Sequence, residues 1–336
     1  MKNSEVSTVN SELKYLKLAH LLLDKIKQGD LRINDQLPSV NRLAAEHNIS
    51  KSTVLMALNH LMEKGIIEPV YRKGFFVKKN SIDHQFRVFF LLDKLTVFKE
   101  ELYHSFFNRL KDHAHIDVFF HNYSYRIFER LVLENLGNYT HYVILSIMKE
   151  DVSPIINLIP PEKRIILDYN IENLNGDYSA VYQDFAGDIY AAMKDVRGRV
   201  EKYRRAVLVL PEDSFYGNLV KDGFLRFCEE YQFDYLIVHQ IERSQFRRGD
   251  VYITLNRHDR DDVDIIKLVR EHKYKLGRDI GLISYNDLYV KEVLEGGITV
   301  ISTDFSKMGE EAANLILEGK VAKIKNPSKL IIRPSL

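Results

Sequence analysis

The stretch Leu37-Pro-Ser-Val-Asn-Arg-Leu-Ala-Ala-Glu-His-Asn-Ile-Ser-Lys-Ser-Thr-Val54 contains two helix starts separated by a tight turn. Ser39 follows a proline and precedes an apolar-periodic segment, where a hydroxyl accepts a bond from an orphan backbone N–H of the first helical turn. Leu43 and Ala44 then face inward, and His47-Asn48 stops the helix. Ile49 is the apolar residue of the turn. Ser50 caps a second helix over 51–64, with Val54, Leu58 and Leu61 on one face and Gly65 closing it. Helix, turn, helix is the helix-turn-helix pattern, whose second helix enters the major groove of DNA.

Upstream, Leu18, Leu21, Leu22 and Ile26 recur at helical spacing and predict an amphipathic helix that ends at Gly29. Downstream, Ile66–Val70 and Gly74–Val77 flank Tyr71-Arg72-Lys73, a hairpin with a basic tip able to lie along phosphates or the minor groove. Charge follows the same division. Residues 1–80 hold 13 basic and 8 acidic side chains, whereas residues 81–336 hold 35 and 39. A basic head on a slightly acidic body is what one domain facing a polyanion produces.

The blocks Gln36–Ala44, Ile49–Val54, Leu58–Leu61, Lys64–Ile67 and Arg72–Val77, in this order, resemble the winged-helix domain of the GntR family over residues 14–78. The resemblance implies DNA contacts at Ser39, Lys51, Ser52, Thr53, Lys73 and Gly74, and their neighbours Asn41, Arg42 and Arg72 join the candidate set. Two positions depart from the family pattern. Asn41 stands where Arg is usual, and Lys51 replaces an Arg, losing the planar fork that grips guanine.

From Phe86 the pattern changes. Apolar runs such as Arg87–Leu92, His141–Ile147, Ala206–Leu210 and Ile280–Ser284 alternate with amphipathic segments such as Phe98–His113, Phe185–Val200, Gly217–Glu230 and Lys307–Glu318. This predicts parallel sheets covered by helices on both faces. The polar stretch 196–205 is expected to cross between two lobes. In doubly wound sheets ligands bind beyond the carboxyl ends of the strands. Asp93, Ser146, Asp168, Asn256 and Asn286-Asp287 fall there, with Asp184 and Asp213-Ser214-Phe215-Tyr216 on helix-entry loops. Aromatic faces beside Asp and Asn suit a sugar, whose hydroxyls need polar partners and whose C–H face stacks on rings.

Val181–Asp184 with Gly187, Tyr216-Gly217 with Asp222-Gly223-Phe224, Leu276–Asp287, and Ile298–Phe305 with Met308-Gly309 resemble the effector domain of LacI-type repressors, over about residues 86–335. That resemblance implies a two-lobed, periplasmic-binding-protein-like fold crossing its hinge near 197–205, 288–305 and 318–330. It also implies effector contacts at Asp184, Tyr216, Asn256 and Asn286. Asp93, Ser214, Phe215, Arg257 and Asp287 complete the candidate set; Arg257 adds a cation suited to an acidic or phosphorylated sugar. A GntR-type winged helix on a LacI-type body is similar to the arabinose-repressor subgroup of sugar regulators.

The fold class expected is therefore α/β: an N-terminal winged helix-turn-helix (1–80), then a two-lobed domain of doubly wound parallel sheets (81–336) for effector binding and dimerisation. The function expected is a DNA-binding transcriptional repressor of a carbohydrate operon. Its partners would be operator DNA, a monosaccharide or sugar phosphate, and a second copy of the chain. A winged helix that docks on protein instead is the alternative. One cysteine, Cys228, suits a reducing compartment, and the polar start and short apolar runs suit a cytoplasmic chain without membrane spans. No phosphate-binding glycine loop, nucleophile elbow or calcium loop appears, and His113, His115 and His121 are too ordinary a spacing for a metal site. No cofactor, metal or catalytic residue is expected.

Overall fold

A computed structural model describes residues 14–336 except 20, 27, 80–85, 172, 213 and 256–259. The chain divides into two compact units, Met1–Gln85 and Phe86–Leu336.

In the first unit, residues 14–19 and 21–26 are helical, followed by the helices Val40–Glu46 and Lys51–Glu63. Strands β1 (Ile67–Val70) and β2 (Gly74–Val77) pair antiparallel as the wing. Both serine caps form: Ser39 accepts from the Arg42 N–H and Ser50 from the Thr53 N–H, at 3.2 and 3.1 Å. Leu18, Leu22, Ile26, Leu43, Val54, Leu58, Leu61 and Val77 close one core, whereas Leu21, expected on the same face of the first helix, is 38% exposed at its edge.

The second unit holds two six-stranded sheets. The first contains β3 (Phe86–Leu92), β4 (Ala114–Phe120), β5 (His141–Leu145), β6 (Arg164–Asp168), β7 (Ser179–Tyr182) and β13 (Lys323–Lys325), in the order β13-β7-β6-β5-β3-β4. The second contains β8 (Arg205–Val209), β9 (Tyr235–Val238), β10 (Asp250–Thr254), β11 (Gly281–Tyr285), β12 (Thr299–Thr303) and β14 (Ser328–Ile331), in the order β14-β12-β11-β10-β8-β9. All neighbours are parallel except β14, which runs antiparallel to β12. Leaving out the two late strands, each sheet has the doubly wound order 2-1-3-4-5, which opens a crevice where the chain reverses direction across the sheet. Strands β13 and β14 are too short and too lysine-rich to announce themselves in the sequence.

The lobes are joined at three places, and the first is not where the sequence suggests. The helix Phe185–Asp195 buries Phe185, Ile189 and Met193 in the core of the second lobe, against the helix Gly217–Glu230. The contact is so close that a Cβ on Gly223 would stand 2.1 Å from the Ala186 carbonyl oxygen. The polar stretch 196–204 therefore joins two elements of one lobe, and the crossing lies at Gln183-Asp184. The return crossing is at Asp304, since the helix Phe305–Glu318 packs on Val97–Leu110 in the first lobe, where Gly309 lets the Leu102 carbonyl approach. The third crossing, at Asn326-Pro327, links β13 to β14. Backbone bonds tie the three together: Asn326 N–H to the Tyr182 carbonyl at 2.8 Å, and Asp304 N–H to that of Pro327 at 3.1 Å.

Candidate functional site

Between the lobes lies a cavity of about 470 Å³, the size that takes a small ligand. Its first-lobe wall begins at Asp93, directly after β3. The carboxylate is buried, accepts the Lys94 backbone N–H at 2.7 Å, and pairs with the Lys99 ammonium. Lys99 is itself buried, on the first turn of the helix Val97–Leu110 capped by Thr96. Asp168 ends β6 with φ +73°, a left-handed backbone that Asp tolerates better than most residues. Burial pushes its carboxyl above the usual range, against the opposing pull of Lys99.

The floor is built from the crossings. Gln183 donates its side-chain amide to Asp168 and accepts from the hydroxyl of Thr303. The Thr303 N–H donates to the side-chain oxygen of Asn286 at 3.3 Å. Asn286 follows β11 at φ +56°. Behind it the buried Lys291 ammonium donates to the carbonyls of Tyr285 and Asn286, each at 3.0 Å, and pairs with Asp262 at 3.3 Å. That buried pair holds the end of β11 in place. The Tyr285 hydroxyl, on the cavity wall, is buried and has no hydrogen-bond partner among the described residues.

Rings supply the apolar surface. Phe185 and Tyr216 stack at 4.7 Å, Phe98 and Phe305 at 5.4 Å, and Tyr123 and Phe215 at 5.2 Å. The last pair spans the lobes, since Tyr123 follows β4 and Phe215 follows β8. Stacked rings with buried carboxylates, amides and an orphaned hydroxyl form a surface for a compact polyhydroxylated molecule.

Of the effector candidates, Asp93, Phe215, Tyr216 and Asn286 line this cavity. Asp184 does not: it caps the helix Phe185–Asp195 through the Gly187 N–H at 3.0 Å and pairs with Lys325 at 2.9 Å, which holds its carboxyl below the usual range. Asp287 is turned to Arg333 in a bidentate pair at 2.7 and 2.6 Å. The Ser214 hydroxyl is buried outside the lining. Asn256 and Arg257 lie outside the described residues. Lys99, Gln183, Tyr123 and Tyr285 line the cavity and were absent from the candidate set. A strand-end position flags Asp168, but nothing in an amphipathic helix pattern flags Lys99 as buried. Ser146 also sits buried at the end of β5, while His121 packs edge-on against Phe128 and bonds the Leu145 carbonyl at 3.0 Å. Among the described residues no group of three or more His, Cys, Asp or Glu could hold a metal.

In the first unit, Ser39, Asn41, Arg42, Lys51, Ser52, Arg72, Lys73 and Gly74 are exposed. Arg42 pairs with Glu46 at 2.7 Å, and Arg72 lies over the Tyr71 ring at 5.2 Å. Gly74 has φ +105°, and Gln36 steadies the turn by donating to the Lys73 carbonyl. Thr53 is buried, its hydroxyl 2.8 Å from that of Ser50, so it braces the helix start and does not face outward.

Residues 14–77 match the bacterial regulatory proteins of the GntR family, and residues 199–336 a periplasmic binding protein-like domain. The chain is 44% identical over 68 residues to the uncharacterized HTH-type transcriptional regulator YjiR of Escherichia coli, covering 20% of this chain and 14% of that one. It is 31% identical over 88 residues to the mannosyl-D-glycerate transport/metabolism system repressor MngR of Escherichia coli, covering 26% and 34%. A probable fructoselysine utilization operon transcriptional repressor of the same organism is 28% identical over 81 residues, covering 24% and 33%. The chain thus spans no more than about a third of the length of these relatives. The fold is shared with solved structures of LacI family regulators. A LacI family transcriptional regulator from Silicibacter pomeroyi aligns with a TM-score of 0.62 at 16% identity, over 74% of this chain and 98% of that one. A LacI family regulator from Lactobacillus casei with bound glucose aligns at 0.59 and 15%, over 74% and 99%. Among the described residues, no helix is long and apolar enough to cross a membrane.

Proposed function

Since this chain joins a winged helix-turn-helix of the GntR family to a periplasmic binding protein-like body, we propose that it is a DNA-binding transcriptional repressor of a carbohydrate-utilisation operon. It acts in the cytoplasm as a homodimer and responds to a sugar or sugar derivative held between its lobes. It is a regulator and not an enzyme. Ser39, Asn41, Arg42, Lys51, Ser52, Arg72, Lys73 and Gly74 meet the operator. Asp93, Asp168, Gln183, Phe215, Tyr216 and Asn286 meet the effector. The names of MngR and of the fructoselysine repressor support the operon class, and the glucose bound in the Lactobacillus casei regulator supports the ligand class.

The observation that carries this reading is the make-up of the cavity floor. Gln183 and Thr303 sit at two of the three lobe crossings and bond to each other beneath the ligand space. A ligand that binds there differently in open and closed states shifts their balance by that difference in affinity. The test is a thermal-shift screen of monosaccharides and their phosphates on the full chain, followed by a mobility shift on genomic fragments with and without the hit. A sugar that raises the melting temperature and changes the DNA shift supports the proposal. A chain that retards no fragment under any condition overturns it.

A further inference from the structure

The face of the helix Lys51–Glu63 that the head's core leaves uncovered carries an apolar side chain on each side of a polar centre. Thr53, Val54, Ala57, Leu58 and Leu61 are buried. At 100° per residue, Lys51, Leu55, Asn59, Ser52 and Met56 fall in that order around the opposite half, with the half-buried Met62 of the last turn also on it, and these five are exposed. Leu55 and Met56 are 43% and 42% exposed. A single exposed leucine is ordinary. Two apolar side chains bracketing the centre of a recognition face are not, when no arginine stands in that arc to fork onto guanine. The surroundings argue against a buried protein contact, because residues 1–80 carry 13 basic against 8 acidic side chains. Lys51 at the helix start, Arg42, Arg72 and Lys73 are all exposed on this head. Charge of that sign matches a phosphate backbone.

The major groove has one apolar feature, the C5-methyl of thymine, and an Asn amide pairs bidentately with adenine. We propose that Leu55 and Met56 are specificity determinants that pack on thymine methyl groups, with Asn59, which lies between them around the helix, reading adenine. Each operator half-site then carries A·T pairs at its centre, flanked by the phosphates that Lys51 and the wing hold. This rests on the DNA-binding reading above and adds the base preference to it.

The experiment selects duplexes from a randomised library with the full-length chain, then replaces single thymines by uracil, which lacks only the methyl group. Selected half-sites should share central thymines, and uracil at two of them should weaken binding about fourfold each, the effect of one unburied methyl group. Leu55→Ala should abolish the discrimination at one of those thymines and Met56→Ala at the other; both side chains are exposed, so the variants fold. A chain that binds no duplex overturns the regulator reading and this proposal with it. A chain that binds selected duplexes as tightly with uracil as with thymine overturns this proposal alone. So does a Leu55→Ala variant that keeps full thymine discrimination at both positions while losing its dimer mass, which would assign the two side chains to a contact between copies.

Discussion

The hydroxyl of Thr303 donates to the side-chain carbonyl of Gln183, joining two residues 120 positions apart that stand at separate crossings between the lobes. Thr303 is buried, Gln183 half-buried. Thr303→Val keeps the shape, removes the donor, and leaves the Gln183 oxygen short of a partner. Unfolding free energy should fall by about 1 kcal/mol in urea titrations. Solution scattering should show a larger radius of gyration without ligand, and the effector should bind more weakly. Unchanged scattering and affinity would show that the bond does not set the lobe angle.

Asp93 and Lys99 are buried partners at the cavity wall. Removing one of them strands the other charge, so Lys99→Met should cost about 3–5 kcal/mol. Asp93→Asn in the same chain should recover much of that loss while leaving effector binding impaired. Paired denaturation curves for the two single variants and the double variant measure the coupling; simple additivity would contradict it.

Burial raises the Asp168 carboxyl above its unfolded value of about 3.9. Its protonated form is the one the fold favours, so the associated stability is complete below that value and is lost as pH climbs through the folded-state value. Asp168→Asn keeps the oxygen that accepts from Gln183 and suits the left-handed backbone, yet carries no charge to desolvate. Thermal melts from pH 3 to 7 should show the variant gaining on the parent as pH rises. A gap that stays constant with pH would count against the buried carboxyl as its source.

Lys51 and Lys73 are exposed at the recognition-helix start and on the wing. If both neutralise phosphates, the double variant Lys51→Ala, Lys73→Ala should bind a selected duplex more weakly at low salt and reduce the slope of log K against log salt by roughly two units. A titration between 50 and 200 mM salt reads this directly. An unaltered slope would remove both residues from the phosphate contacts.

Much of the architecture is legible in the residues. The serines at 39 and 50 start helices because each precedes an apolar-periodic run, and the parallel sheets follow from strands such as Val88–Leu92 that are buried on both faces. The site is less legible, for reasons of distance along the chain. Asp184 precedes a helix with Gly187 three residues on, a pattern that fits a cap and a ligand contact equally; Lys325, 141 residues away, makes it a cap in an ion pair. Asp287 is taken up by Arg333, 46 positions later. Lys99 reads as a solvated helix charge until Asp93 folds over it. The lobe to which the helix Phe185–Asp195 belongs is settled by Gly223, which only the packed structure brings beneath Ala186.

Because the strands linking the lobes run through Gln183-Asp184, Asp304 and Asn326-Pro327, neither lobe is a continuous piece of sequence. One proteolytic nick at any of these places leaves the halves tethered twice over, so a cleaved chain should stay together until it is denatured. Gene truncation cannot release either half as a free-standing fragment. Isolating one would require an in-frame internal deletion that joins its two non-adjacent segments directly.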